Sequence, residues 1–305
     1  MQELHAHVKD MLFTQFACSP EAHVCIVYDI DSPLAQAVTL AYRAALHDHP
    51  LKSFLDFNAH EPEELIVKMN ALKQGDCVVL VQSTSFRVSV YRWRLELFAR
   101  KLKVIEHMRL SYMHENEFPT YVHSLQNDLS FYQETGKKLA ALFRKTQKIK
   151  VECNGGSILE YDSTLEEPII NDGDYSEQEN VGGGYPIGEI FSEPQDISKV
   201  NGAVEIYAFP GEDHKMRFAK TPFKITIKNG HVQEGDFPPE FAPLVEMMKG
   251  ENADGNIPVR EFGLGLNRAI TAQNKLTEAT AFERVTGLHL SLGMKHGVYQ
   301  KKFKK

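Results

Sequence analysis

Residues 23–30 (HVCIVYDI) form a short, largely β-branched apolar run, and residues 32–46 (SPLAQAVTLAYRAAL) then repeat their apolar positions at helical spacing. Ser32 before Pro33 supplies a helix start, because its hydroxyl can cap orphan amides and proline fits the first helical position. The same order recurs. A strand is predicted at 53–57 (SFLDF), a helix from Pro62 to Leu72, a strand at 76–83 (DCVVLVQS), a helix at 91–101 and a strand at 103–110 (KVIEHMRL). Strands that read as continuous apolar runs between helices imply a mostly parallel sheet covered on both faces. A helix over 121–145, interrupted by Gly136, closes this α/β domain, assigned to residues 1–146.

From Lys148 the period changes. KIKVEC, then Asn154-Gly155, then SILEY predicts a hairpin, followed by an acidic loop from Glu166 to Asn180. Strands are predicted at 203–209 and 223–228, a turn at Asn229-Gly230, and helices at 239–249 and 266–283. Residues 147–305 therefore read as a β-rich α+β domain, and no internal repeat is seen.

Composition adjusts this picture in three ways. At 305 residues the chain exceeds what one core usually organises, which favours two domains. A net charge of -7 argues against a nucleic-acid partner and leaves a small molecule or peptide. Apolar runs such as Val78 to Val81 are too short to span a bilayer, and the N-terminal stretch has no secretory pattern, so a cytoplasmic location without membrane contact is expected. Cys18, Cys25, Cys77 and Cys153 show no CxxC spacing and read as reduced, buried thiols.

Three stretches of the second half place single functional side chains among small and apolar residues. In Gly182-Gly183-Gly184-Tyr185-Pro186-Ile187-Gly188-Glu189-Ile190-Phe191 the glycines permit close backbone approach, and Glu189 stands alone between apolar neighbours. A buried carboxylate needs a compensating partner, and a metal ion is a common one. Glu261 lies beside glycines in Val259–Asn267, where a salt bridge with Arg268 is the structural reading. In Gly287–Gly293 the alternation puts His289 and Ser291 on one face of a strand and leucines on the other. Two carboxylates and an imidazole suffice to hold a divalent ion with an open coordination position.

The ordered series IKVECNGGSILEY, GYPIGEIFSEP, VNGAVEIYAF, REFGLGLN and TGLHLSLG resembles the aminopeptidase T and aminopeptidase S family of metallopeptidases, also called leucyl aminopeptidases. The resemblance covers most of residues 148–296 and is most specific in GEIF-x-x-P and GLHLSLG. It implies that Glu189, Glu261 and His289 are metal ligands. Where the family has a metal-site tyrosine this sequence has His296, whose imidazole can also bind metal, with Tyr299 three residues later. The family's following His-x-Asp ligand pair is absent before Lys305, which implies a shortened chain or a reduced metal site. Glu261 separates the sequence from the related ring-cleaving 2,5-dihydroxypyridine dioxygenases, which use a histidine there.

By this resemblance the chain is a metal-dependent, aminopeptidase-like hydrolase that removes N-terminal residues from peptides. One or two divalent ions, zinc, cobalt or similar, would lower the pKa of bound water from about 15.7 towards 7. Glu189 and Glu261 would bind the ion, one of them doubling as general base, with His289 as nitrogen ligand and His296 stabilising the oxyanion. Family members commonly dimerise through the metal-site domain, so a homodimer is implied. Two alternatives stay open: a non-catalytic peptide-binding homologue, and an iron-dependent dioxygenase.

Overall fold

The computed structural model describes residues 1–86, 93–175 and 181–294. In chain order its elements begin with α1 (Gln2–Asp10), β1 (Val24–Tyr28), α2 (Pro33–Ala45), β2 (Lys52–Asp56), α3 (Pro62–Asn70) and β3 (Cys77–Val81). Next come α4 (Trp93–Ala99), β4 (Lys103–His107), α5 (Phe118–Ser124), α6 (Leu129–Lys145), β5 (Ile149–Glu152), β6 (Ile158–Tyr161) and β7 (Ile169–Asn171). The chain continues with β8 (Gly182–Tyr185), β9 (Glu189–Ser192), β10 (Val200–Pro210), β11 (Met216–Lys228) and β12 (His231–Val232). Last are α7 (Ala242–Gly250), β13 (Val259–Gly265), α8 (Ala279–Phe282) and β14 (Gly287–Leu292).

These elements form two compact units, each assembled from separate stretches of chain. Of the described residues, one comprises those within 1–135, 171–189 and 266–286; the other comprises those within 136–170, 190–265 and 287–294. The sequence reading places a single boundary near residue 146, whereas compactness follows a chain that passes between units several times.

The first unit is built on a sheet of order β2-β1-β3-β4-β8, with every pairing parallel. Strand alternation divides its side chains between two cores. Cys25 and Val27 of β1, Val78 and Leu80 of β3 and Val104 of β4 join Leu65 and Met69 of α3 and Leu97 of α4. Their neighbours Val24, Ile26, Val79, Val81 and Ile105 point the other way and are buried too, on the side packed by α2. Ser32 caps α2 as its position predicts, its hydroxyl accepting from the Ala35 amide at 3.2 Å.

The glycine run is the edge strand of this sheet. Gly182 has φ +119°, and a β-carbon there would lie 1.8 Å from the Val104 carbonyl oxygen of β4. The close approach that these glycines permit is therefore to the neighbouring strand. Two helical expectations are redrawn as well. The 121–145 segment is two helices, α5 and α6, broken at 125–128 beside Asp128, which pairs with Arg268; α6 runs through Gly136 unbroken. Of the 266–283 segment only α8 is helical. The Asn267 side chain is spent on tertiary hydrogen bonds, donating to Ser124 O at 2.8 Å and Ile187 O at 3.0 Å. Likewise, Thr277 bonds Glu117 and Glu278 binds Arg109.

The second unit holds an antiparallel sheet of order β12-β11-β10-β6-β5. Leu159, Tyr161, Val204, Ile225 and Ile227 form its buried side. Another sheet has the order β14-β13-β9-β7, and Phe262 of β13 packs against Tyr161 and Phe143. Among the described residues no helix is long and apolar enough to cross a membrane.

Among the buried polar groups of the first unit is a histidine. At the end of β4, the His107 ring meets Tyr42 Oη through Nε2 at 2.8 Å and Tyr121 Oη through Nδ1 at 2.7 Å. A neutral imidazole offers one donor and one acceptor, so both nitrogens are satisfied without charge. Burial pushes the His107 pKa down from 6.5 to about 3. The folded chain thus binds fewer protons than the unfolded chain between these values, and stability falls as pH drops through that window, by about 1.4 kcal/mol per pH unit from this residue. Urea midpoints at pH 7 and pH 5 are expected to differ in the wild type and to differ less in His107→Gln; equal slopes in the two proteins would refute the assignment. Gly182→Ala should cost about 3 kcal/mol or more in the same measurement. Gly183→Ala, with no atom within 4 Å of the added carbon, should cost little by comparison.

Candidate functional site

Glu189 opens β9, and Gly188 places it. The Gly188 amide donates to Asn171 O at 2.9 Å, its carbonyl accepts from Leu266 N–H at 2.9 Å, and its φ is +107°. A β-carbon at that point would lie 2.8 Å from the Tyr132 ring and 3.1 Å from the Asn267 amide nitrogen, so glycine is required. The chain then turns the Glu189 carboxylate into the interior of the first unit, where Arg284 Nη1 meets its Oε2 at 2.7 Å. The two side chains are only 7% and 9% exposed, so this is a desolvated ion pair.

Polar groups continue around the pair. Tyr175 is buried and its hydroxyl lies 3.4 Å from that of Tyr185, which in turn donates to Gln15 Oε1 at 2.9 Å. Burial lifts the Tyr175 pKa to about 12; the Tyr185 hydrogen bond and the Arg284 charge oppose the rise, while Asp172 adds to it. Asp172 is itself buried and accepts from the Asp174 amide at 3.0 Å. The acidic loop that follows, at 176–180, lies outside the described residues.

Glu261 and His289 belong to the second unit. The β13–β14 register sets His289 directly opposite Gly263, two residues from Glu261. A β-carbon on Gly263 would fall 2.0 Å from His289 Nε2, so the imidazole lies against the bare α-carbon of its cross-strand partner. Arg260 Nη2 meets Glu261 Oε1 at 3.0 Å and Glu193 Oε1 at 3.4 Å. The guanidinium partner of Glu261 is thus its neighbour Arg260, and Arg268 pairs with Asp128. His296 and Tyr299 lie outside the described residues.

Among the described residues, no three histidine, cysteine, aspartate or glutamate side chains come together in a group that could hold a metal ion. Both glutamates of the candidate set also face a permanent cation, since arginine stays protonated in proteins. The described donor residues therefore do not fit a divalent ion. Arg284 is the functional side chain that sequence reading missed. It lies far along the chain from Glu189, and no local spacing points from one to the other. Arg260, which stands beside Glu261 in the same strand, takes the place that the sequence reading gave to Arg268.

No family model matches the sequence, and no curated protein matches it. Solved structures do match in fold. 2,5-Dihydroxypyridine dioxygenase from Pseudomonas putida KT2440 superposes with a TM-score of 0.62 at 12% identity, over 92% of this chain and 83% of that one. AmpT from Thermus thermophilus superposes with a TM-score of 0.61 at 12% identity, over 96% of this chain and 85% of that one. The α/β region with a parallel sheet and the antiparallel β-rich region are thus a fold shared with AmpT, at an identity that makes the relation distant.

Proposed function

We propose that this protein is a non-catalytic, peptide-binding homologue of the aminopeptidase T and S scaffold, with a guanidinium in place of a metal ion as the counter-charge of Glu189. The observation that carries this reading is the buried Glu189–Arg284 pair at 2.7 Å. A carboxylate withdrawn from water must be compensated, and Arg284 already does so. A divalent cation brought to the same oxygens would be repelled by the fixed guanidinium, a cost of several kcal/mol at the effective dielectric of protein interiors. The peptide as ligand class rests on the sequence resemblance, with the AmpT-like fold in agreement.

A second reading keeps the chain as a metal-dependent aminopeptidase with one or two zinc or cobalt ions. Its support is the presence of Glu189, Glu261 and His289, the last two placed near each other by the β13–β14 register. The dioxygenase likeness is one of fold.

Elemental analysis of the purified protein before and after dialysis against zinc or cobalt, combined with calorimetric titration of leucyl tripeptides in the presence and absence of chelator, separates these readings. Metal well below one ion per chain and peptide binding that is indifferent to chelator are expected. One or two ions per chain, lost in Glu189→Ala and His289→Ala and accompanied by tripeptide cleavage, would replace the binding role with hydrolysis. Arg284→Met leaves the Glu189 carboxylate buried without its cation and is expected to cost about 3–5 kcal/mol in urea unfolding. An unchanged midpoint would remove the pair as the basis of the proposal.

A further inference from the structure

β2 is the outer strand of the first unit's parallel sheet: β1 pairs with one side of it, and among the described residues no strand pairs with the other. Its register decides which main-chain groups are taken. Lys52 stands opposite Val24, whose amide donates to Leu51 O at 2.9 Å. Successive residues of a strand aim their main-chain groups to opposite sides, so Leu51, Ser53 and Leu55 face β1 while Lys52, Phe54 and Asp56 face outward. No hydrogen bond from a described residue reaches the outward amides and carbonyls of these three.

The side chains of Lys52, Phe54 and Asp56 share the sheet face on which α2 packs, since Ser53 and Leu55 stand opposite Cys25 and Val27 of the other core. Phe54 is half-buried there, with the Arg43 guanidinium 4.3 Å from its ring centroid. Lys52 and Asp56 carry opposite charges at the two ends of the strand, and neither forms a salt bridge among the described residues. The Lys52 ammonium donates to His47 O, and Asp56 accepts from the Asn58 amide at 2.9 Å. Two leucines lie uncovered near this edge: Leu51, just before β2, is 45% exposed, and Leu40 of α2, one turn before Arg43, is 58% exposed.

We propose that β2 is a dimerisation edge, pairing antiparallel with β2 of a second copy of this chain about a two-fold axis at Phe54. Such an axis, perpendicular to the sheet, sets Lys52 against Asp56 of the second copy, Asp56 against its Lys52, and Phe54 against its counterpart. These are the outward-facing residues, so each facing pair exchanges both main-chain hydrogen bonds. The two five-stranded sheets then run on as one. Charges at a short edge strand ordinarily discourage pairing, because most incoming strands leave them unmatched. Here their order is self-complementary: only a strand with the anion and cation reversed along its length satisfies both, and β2 turned around is that strand. The charges also choose the register, since a shift of two residues sets Lys52 against Phe54 and leaves Asp56 beyond the paired stretch.

The test is sedimentation of the full chain over a concentration series, with the two charges reversed singly and together. A reversible monomer–dimer equilibrium is expected in the wild type. Lys52→Asp and Asp56→Lys should each weaken it by roughly tenfold or more, because each places like charges opposite one another at both ends of the paired strands. The double variant, carrying both reversals, should return the dissociation constant to near the wild-type value, a rescue that a merely structural role of either residue would not give. Carbodiimide coupling of a mixture of isotope-labelled and unlabelled chains, followed by peptide mapping, should yield a Lys52–Asp56 link that joins one labelled and one unlabelled peptide. A monomer at every concentration would overturn the proposal. So would a dimer unchanged in both single variants, which would place the contact elsewhere on the chain. Neither result bears on metal content or peptide binding.

Discussion

A carboxylate withdrawn from water needs a cation or hydrogen-bond donors, and this requirement organises much of the first unit. Two of its buried glutamates meet an arginine through the 266–286 segment, Glu189 with Arg284 and Glu278 with Arg109 at 2.5 Å, while buried Glu117 accepts from Thr277. In both pairs one partner comes from residues 266–286, a segment with a single helical turn and little strand. That segment buries Leu266, Ile270, Leu276 and Phe282, and the charged pairs and the Asn267 amide add directional ties that fix where it settles. Such pairs add little net stability over a hydrophobic replacement, but losing one partner is costly, which makes them effective at fixing one arrangement of the chain.

The same requirement bears on chemistry. A metal centre concentrates carboxylates around a cation that the protein does not encode, whereas an encoded guanidinium closes the charge balance permanently. Arg284 lies against Glu189 and Arg260 against Glu261, so each of these carboxylates meets an encoded cation. The fold shared with AmpT and with the dioxygenase from Pseudomonas putida carries no fixed chemistry of its own, since function belongs to the side chains mounted on it. Elsewhere in the unit, polar groups are handled without charge. His107 stays neutral between two tyrosine hydroxyls.

The alternation of strands and helices from β1 to β4 was legible, whereas α1 was not predicted and the break between α5 and α6 was missed. The runs VCIVY and CVVLV are strands because they are apolar on both sides, KVIEH carries Val104 and Ile105 between polar ends, and the Ser32–Pro33 start of α2 is a local signal read by local chemistry. The candidate site was legible only as a set of residue types. Glu189 stood out because a lone carboxylate among apolar neighbours needs a partner, yet the sequence could not name that partner. The helix expected over 266–283 failed for a related reason: its spacing is compatible with a helix, but its polar side chains are committed to residues far along the chain. The glycine run misled in a different way, since freedom of approach does not say what is approached.

Short-range physics therefore set most of the secondary structure of the α/β half and the hairpin turns at Asn154-Gly155 and Asn229-Gly230, because each depends on the periodicity or conformational limits of neighbouring residues; of the four cysteines expected to be buried, Cys153 is half-buried. Tertiary structure decided which cation faces Glu189, what Gly182 approaches and where the 266–286 segment settles. Those outcomes are pairings between residues distant in sequence, and only the folded chain brings their atoms within reach of one another.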